Sequence, residues 1–278
     1  MSQSKSSNFR GASDASTRMA RQCVATDVAF GLTSVPVHRR SVRVVDVDLA
    51  SASASEPEAE VVPAAAVGIP IQEAMLDVAG LRSRTDRDAA LETLRALHAA
   101  ECPHCTTATA HTNLVFGEGS SEALLMFVGE APGEVEDQLG RPFVGPAGQK
   151  LDEMIKAIGF QRSDVYIANV LKSRPPGNRT PLQHEVDACG RYLVEQIRII
   201  APRVIVTLGG PATKLLLGTE LGITRLRGIW ARFVRPGIAL DVMPTFHPAY
   251  LLRNYTAETR RQVWSDLQSA LTRVREQA

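Results

Sequence analysis

Nowhere do the 278 residues approach the run of about 18 consecutive apolar side chains that a membrane-spanning helix needs. The first residues also lack the long apolar core of a secretion signal, so the expected location is the cytoplasm. Cysteine is scarce: four residues are too few to hold a chain of this length in a disulfide framework. In a reducing compartment the close pair Cys102 and Cys105 points instead to metal binding or redox chemistry. Neither charge is in excess, with 31 basic against 30 acidic residues and a net charge of +1. A non-specific nucleic-acid binder carries a larger basic surplus, so any contact with DNA must run through a local patch.

What is present divides the chain near residue 85. The stretch "SASASEPEAEVVPAAAVG" (51–68) is rich in Ala, Ser, Glu and Pro and has no periodicity. It cannot bury enough apolar surface to offset the entropy of ordering, so residues 1–85 read as a disordered extension. Within it, "SVRVVDVDLA" (41–50) alternates like a short, isolated strand. From residue 86 the pattern changes. "DRDAALETLRALHAA" sets Ala90, Leu91, Leu94 and Leu97 at helical spacing. "ALLMFV" (123–128), "DVYIANV", "RVIVTLGG" and "LDVMPTFHP" are short apolar runs that predict four strands. Between them, "AGQKLDEMIKAIG" and "PLQHEVDACGRYLVEQIRIIA" predict helices, and "TAETRRQVWSDLQSALTRVREQA" closes the chain as an amphipathic one. This alternation predicts an α/β domain over 86–278, a three-layer αβα fold around a central, mainly parallel four-stranded sheet. Such folds bind ligands beyond the carboxyl ends of their strands.

Three strand ends are heavily decorated. "GEAPGEVEDQLGRPFVGPAGQKL" (129–151) places Glu130 in a tight Gly/Pro turn and holds Phe143 outside regular structure. "NVLKSRPPGNRTP" (169–181) puts Asn169 at a strand end, followed by Lys172, Arg174 and Arg179 in a loop stiffened by prolines. An Asn side chain offers a donor and an acceptor to a planar base edge, and basic residues suit phosphates. "PTFHPAYLLR" (244–253) fixes His247 between Phe246 and Pro248. Taken singly, each has a plainer reading: a helix-capping Glu, a core-capping Phe, a turn-closing Asn, a structural His and two core leucines.

Taken together, these segments resemble the family 4 uracil-DNA glycosylases, the iron–sulfur branch of the uracil-DNA glycosylase superfamily. The likeness runs from about residue 98 to 270, through "CPHC", "TNLVFGEG", "LMFVGEAPGEVEDQLGRPFVGPAGQKL", "NVLKSRPPGNRTP", "PRVIVTLGGPA" and "PTFHPAYLLR" in that order. It implies an enzyme that flips uracil out of DNA and hydrolyses its N-glycosidic bond. On that reading Asn169 reads the uracil edge and Phe143 stacks on the base. His247 hydrogen-bonds uracil O2 as charge develops there, and Glu130 positions water or stabilises the cationic sugar. In the best-known branch an aspartate works one position later, where this chain has Ala131. Leu251 falls where an apolar wedge is expected, with Arg253 near a phosphate. No lysine is placed as a Schiff-base nucleophile, so a monofunctional hydrolase without strand cleavage is expected, and separately a monomer.

The same resemblance implies a 4Fe-4S cluster on four cysteines. Cys102, Cys105 and Cys189 occupy three of the positions, and Ser173 stands at the fourth. Serine is a hard, poor ligand, which leaves three outcomes: a labile cluster with Ser173 or solvent as ligand, an oxidation-prone three-iron cluster, or none. Zinc on the three cysteines with His104 or His111 is a further alternative, and Cys23 lies in the extension. The extension itself reads as a tether, or alternatively as a docking segment for a repair or replication partner. Two other functions stay open: a family 5-like glycosylase with a broader range of deaminated bases, and a catalytically silent DNA-binding module. A relative that attaches covalently to abasic DNA through a loop histidine is excluded, because 172–181 contains no His. "GEGSSE" precedes its strand, the wrong order for a dinucleotide-binding fingerprint.

Overall fold

In the computed structural model, residues 69–70, 73–108 and 111–277 are described. The expected strand at 41–50, the low-complexity stretch 51–68 and Cys23 lie outside them. The four predicted strands are present as β2 (Leu125–Gly129), β3 (Tyr166–Asn169), β4 (Val204–Leu208) and β6 (Ile238–Thr245). They run parallel in the order β3-β2-β4-β6. Two antiparallel edge strands enlarge the expected four-stranded sheet to six. β1 (Glu118–Gly119) lies beside β3, and β5 (Ala231–Arg235) lies beside β6. The first is only two residues long, too short to show a period. The second belongs to a hairpin closed at Pro236 and Gly237, where Gly237 has φ +73°.

Among the described residues eight helices surround the sheet: α1 (Arg84–Glu101), α2 (Glu134–Leu139), α3 (Pro146–Ala157), α4 (Gln183–Ile200), α5 (Gly210–Leu217), α6 (Ile223–Leu226), α7 (Pro248–Arg253) and α8 (Ala257–Glu276). Alternation along each strand separates two cores. Met126, Val128, Ala168 and Ile205 pack with Leu94 of α1, Val186 and Leu193 of α4 and Leu216 of α5. Leu125, Phe127, Ile167, Val204 and Val206 pack on the opposite face with Leu151 and Met154 of α3 and Val263 and Leu267 of α8. Each fully buried side chain of this size contributes about 1.5–3 kcal/mol.

Packing begins earlier than the boundary expected at residue 86. Ile69 is buried against Gly190 of α4, and its N–H donates to Leu215 O at 2.9 Å. Met75, Leu76, Val78 and Leu81 cover the same core. These residues belong to no helix or strand, so no hydrophobic period marks them in the sequence.

Among the four parallel strands β2 is first in the chain but second in the sheet, with β3 on one side and β4 on the other. The strand order therefore reverses beside β2. A crevice opens at such a reversal, on the side of the strand carboxyl ends.

Candidate active site and metal centre

The carboxyl ends of the parallel strands open into a cleft of about 700 Å³. Glu130, Ala131, Phe143, Asn169, His247 and Arg253 all line it. Six residues that the sequence scatters over more than a hundred positions are thus brought to one cavity.

Asn169 ends β3 and pairs with Gly129 at the end of β2. It is 1% exposed, and its Oδ1 has no hydrogen-bond partner among the described residues. An unsatisfied buried acceptor costs about 1–3 kcal/mol, so the fold carries a penalty to keep this oxygen ready for a donor. Gly129 makes that arrangement sterically feasible. A Cβ there would lie 2.3 Å from Asn169 Oδ1 and 2.5 Å from Phe143 Cζ. Gly129→Ala is expected to displace both groups and slow turnover by about 10²-fold with the fold retained. Steady-state kinetics and a circular dichroism melt check the two halves of that expectation.

Phe143 has φ +49°, the left-handed region, which is costly for an aromatic residue. Its surroundings enforce the conformation. Arg162 Nη1 donates to Phe143 O at 3.1 Å, and Nη2 donates to Pro142 O. Glu136 Oε1 accepts from the N–H groups of Val144 and Gly145, both at 2.9 Å. Gly148 of α3 passes so close that a Cβ would fall 1.9 Å from Phe143 O. Strain held this firmly points to a functional position. The ring centroid lies 5.7 Å from that of His247.

His247 is the N-cap of α7, and its Nδ1 accepts the Ala249 N–H at 3.1 Å. A neutral imidazole whose Nδ1 is an acceptor carries its proton on Nε2. Burial, and then the charge of Arg253, lower its pKa to about 4, so the ring is neutral at physiological pH. Glu130 differs. Burial alone raises its carboxyl pKa, and the group has no hydrogen bond or ion pair among the described residues. It is therefore not a helix cap: Gly133 occupies the N-cap of α2.

Two sequence expectations need correction. Leu251 is 1% exposed and packs in the core with α8, so it cannot enter DNA. On a helix, adjacent residues face different ways, and the exposed leucine is Leu252, at 45%. Lys172 is fully buried and contacts no phosphate. Its Nζ donates to Asn169 O at 2.8 Å and to Gln196 Oε1 at 2.5 Å, while burial lowers its pKa to about 8. Arg179 is also engaged. Its guanidinium grips Glu185 through two 2.7 Å bonds, and that contact pulls the carboxyl down to about 2. Arg253, at the mouth of the cleft, has no ion-pair partner among the described residues.

The cysteines converge as expected, with one unexpected neighbour. Donor atoms of His98, Cys102, Cys105 and Cys189 all lie within 4.8 Å of one another, and all four residues are buried. Cys105 and Cys189 Sγ are 3.6 Å apart, and Cys189 Sγ is 3.7 Å from His98 Nε2. Ser173 is present too, its Oγ 3.3 Å from Cys105 Sγ. His104 points elsewhere, with Nδ1 3.9 Å from Glu185, and neither it nor His111 belongs to the cluster, which corrects both expected zinc ligands. Three thiols and an imidazole suit a soft metal. With metal–sulfur bonds of about 2.3 Å, tetrahedral ligands stand about 3.8 Å apart, close to the 3.6 and 3.7 Å separations of Cys105, Cys189 and His98, so the spacing suits a single ion. A 4Fe-4S cube is larger and requires these donors to spread. His98 was missed because an isolated histidine on an apolar helix face reads as core. The signal was its place four residues before Cys102, one helical turn back.

Comparison with known proteins identifies the family. The family model for the uracil DNA glycosylase superfamily matches residues 116–268. A type-4 uracil-DNA glycosylase of Thermotoga maritima is 47% identical over 171 residues, covering 61% of this chain and 88% of its own. One from Sulfurisphaera tokodaii is 48% identical over 162 residues, covering 55% and 72%. A type-5 uracil-DNA glycosylase from Pyrobaculum aerophilum is more distant, at 31% over 163 residues, covering 52% and 71%. The chain belongs to the uracil-DNA glycosylase superfamily, and within it to the type-4 branch.

Proposed function

We propose that this chain is a monofunctional uracil-DNA glycosylase, acting on uracil-containing DNA and leaving an abasic site. The observation that carries the reading is the unpartnered, buried Oδ1 of Asn169 in a cleft that also holds an aromatic ring on a left-handed backbone and an Nε2-protonated histidine. A flipped uracil stacks on Phe143 and meets Asn169 edge-on: Oδ1 accepts from N3–H and Nδ2 donates to O4. Cytosine presents an acceptor at N3 and an amino donor at position 4, so both pairings fail and buried groups are left unpaired. As the glycosidic bond breaks, electrons move onto the base, and His247 Nε2–H donates to O2. Glu130 faces the positive sugar and orients the water that adds to C1′, accepting one of its protons. The uracil anion then takes a proton from solvent.

Purified protein should release free uracil from a uracil-containing oligonucleotide and nothing from the matched thymine strand. The product strand should break only after alkali. A folded protein that binds such DNA and releases no uracil would leave the silent-module reading standing. Release of hypoxanthine at a comparable rate would favour the broader, type-5-like range, against which the greater likeness to type-4 relatives weighs.

Leu252 takes over the role first given to Leu251: an apolar side chain entering the stack where the base has left. Unstacking costs a few kcal/mol in a duplex and little in a single strand. Leu252→Ala should therefore slow uracil release from duplex by about tenfold and barely affect single-stranded substrate, measured side by side.

For the cysteine cluster, a structural centre fits best. The family reading favours a 4Fe-4S cluster on Cys102, Cys105 and Cys189, and the donor spacing favours zinc. Either would cross-link α1 and the turn after it to α4, with the 172–181 loop held against the centre by hydrogen bonds. The Lys172 N–H donates to Cys189 Sγ at 3.2 Å, and its side chain holds Asn169 O, so the centre buttresses the base reader.

A further inference from the structure

We propose that His98, and not Ser173, supplies the fourth ligand of this centre, making it a three-cysteine, one-histidine site. The inference rests on the metal-centre reading above and is independent of the glycosylase chemistry. Four observations carry it. The His98 side chain is fully buried, in a helix that is otherwise exposed over most of its length. Its polar partners among the described residues are the thiols of Cys102 and Cys189. Its position four residues before Cys102 places the imidazole directly over the first cysteine, with the Cys102 N–H closing the helix on His98 O at 3.1 Å. Finally, Tyr192 meets the imidazole edge-on at 4.6 Å and Phe116 lies at 5.9 Å, so packing fixes the ring with Nε2 toward the sulfurs.

Donor chemistry separates the two candidates. A neutral imidazole nitrogen binds zinc and iron readily, and histidine replaces cysteine in some iron–sulfur centres. A serine hydroxyl must lose a proton from a hard, weakly acidic oxygen. Ser173 Oγ lies 3.3 Å from Cys105 Sγ, so once Cys105 ligates as a thiolate the hydroxyl serves as a donor to that sulfur rather than as a ligand. Exchanging the loop cysteine for serine therefore leaves four soft or borderline donors in place, the fourth coming from the helix instead of the loop.

The test reads the metal and not the activity. Protein purified without oxygen is analysed for iron, acid-labile sulfide and zinc, alongside His98→Ala, Ser173→Ala and Ser173→Cys. Wild type and Ser173→Ala are expected to hold the same metal at the same occupancy, while His98→Ala loses at least tenfold in affinity. Because His98→Ala removes a core side chain, the wild-type protein is also examined directly. If the metal is iron, labelling with 15N-histidine should change the nuclear coupling in pulsed electron paramagnetic resonance of the reduced centre. If it is zinc, X-ray absorption should show three sulfurs and one imidazole. Ser173→Cys should weaken the imidazole signal by offering a fourth thiolate. Loss of metal in Ser173→Ala with retention in His98→Ala, or a wild-type centre without a nitrogen ligand, overturns the assignment. A wild-type protein that takes up neither metal overturns the centre as well, whatever its rate of uracil release.

Discussion

Glu130→Gln is expected to slow uracil release by about 10²–10⁴-fold while leaving affinity for uracil-containing DNA nearly unchanged. Gln keeps the shape of the side chain but cannot carry the charge that faces the sugar cation or take a proton from water. A variant that released uracil at the wild-type rate would remove Glu130 from the mechanism. The substitution has a second, opposite consequence. Burial raises the folded-state pKa of this carboxyl above the ordinary glutamate value of about 4.3. The fold thus prefers its protonated form. The group's contribution to stability is complete below that ordinary value and is lost as pH rises through the raised one. At neutral pH the ionised carboxylate is a burden, so Glu130→Gln should melt at a higher temperature than wild type. At a pH below 4 the two should converge. A gain in stability joined to a loss of activity separates a poised catalytic group from a structural one.

His247→Ala should lower kcat by about 10²–10³-fold with little change in KM, because the hydrogen bond it supplies strengthens only as the base becomes an anion. The pH profile distinguishes the two residues. With its pKa lowered to about 4, His247 stays neutral across the working range, so its protonation does not set the acid limb. Glu130 does, since it must be ionised and its pKa is raised. In wild type and in His247→Ala, kcat/KM should fall tenfold per pH unit below the pKa of Glu130. In Glu130→Gln that limb should vanish. An acid limb that disappeared in His247→Ala would assign the titration to the histidine and reverse the two roles. For stability, the depressed histidine acts in acid: unfolded chains take up a proton near 6.5 that the folded chain refuses until about 4. Stability should therefore drop as pH falls through that window, and His247→Ala should blunt the drop.

The parallel core was legible because each strand is a short apolar run between Gly- or Pro-marked turns, and each such run became a buried strand. The edge strands were not, since pairing of a two-residue segment such as Glu118–Gly119 depends on its neighbour and not on its own sequence. Asn169, Phe143, Glu130 and His247 stood out because polar or aromatic residues followed strand ends in loops that glycine and proline hold rigid. Orientation was harder to read. Leu251 and Leu252 are chemically identical, and only the phase of a six-residue helix decides which one is exposed. Lys172 looked like a phosphate contact because charge predicts exposure, whereas Asn169 O and Gln196 Oε1 satisfy it inside. Of the two residues that hold the Phe143 loop through its backbone, Glu136 sits unremarked inside the 129–151 segment and Arg162 lies outside every matched segment. Main-chain contacts ask for a charge at a distance and not for a pattern in sequence.

The chemical groups of the cleft sit at the ends of parallel strands: Glu130 after β2, Asn169 on the adjacent β3, and His247 beyond β6, two strands from β2 in the other direction across the sheet. Strand spacing, about 4.8 Å, is therefore the ruler by which the site is measured. A side chain such as Met126 or Val206, deep between sheet and helices and far from any base, sets how the strands twist and so how far apart their tips stand. Shaving such a residue blurs the ruler before it breaks the fold. The enzyme's accuracy in choosing among bases is in this sense a mechanical property of its sheet, exposed to wear at positions that never meet DNA.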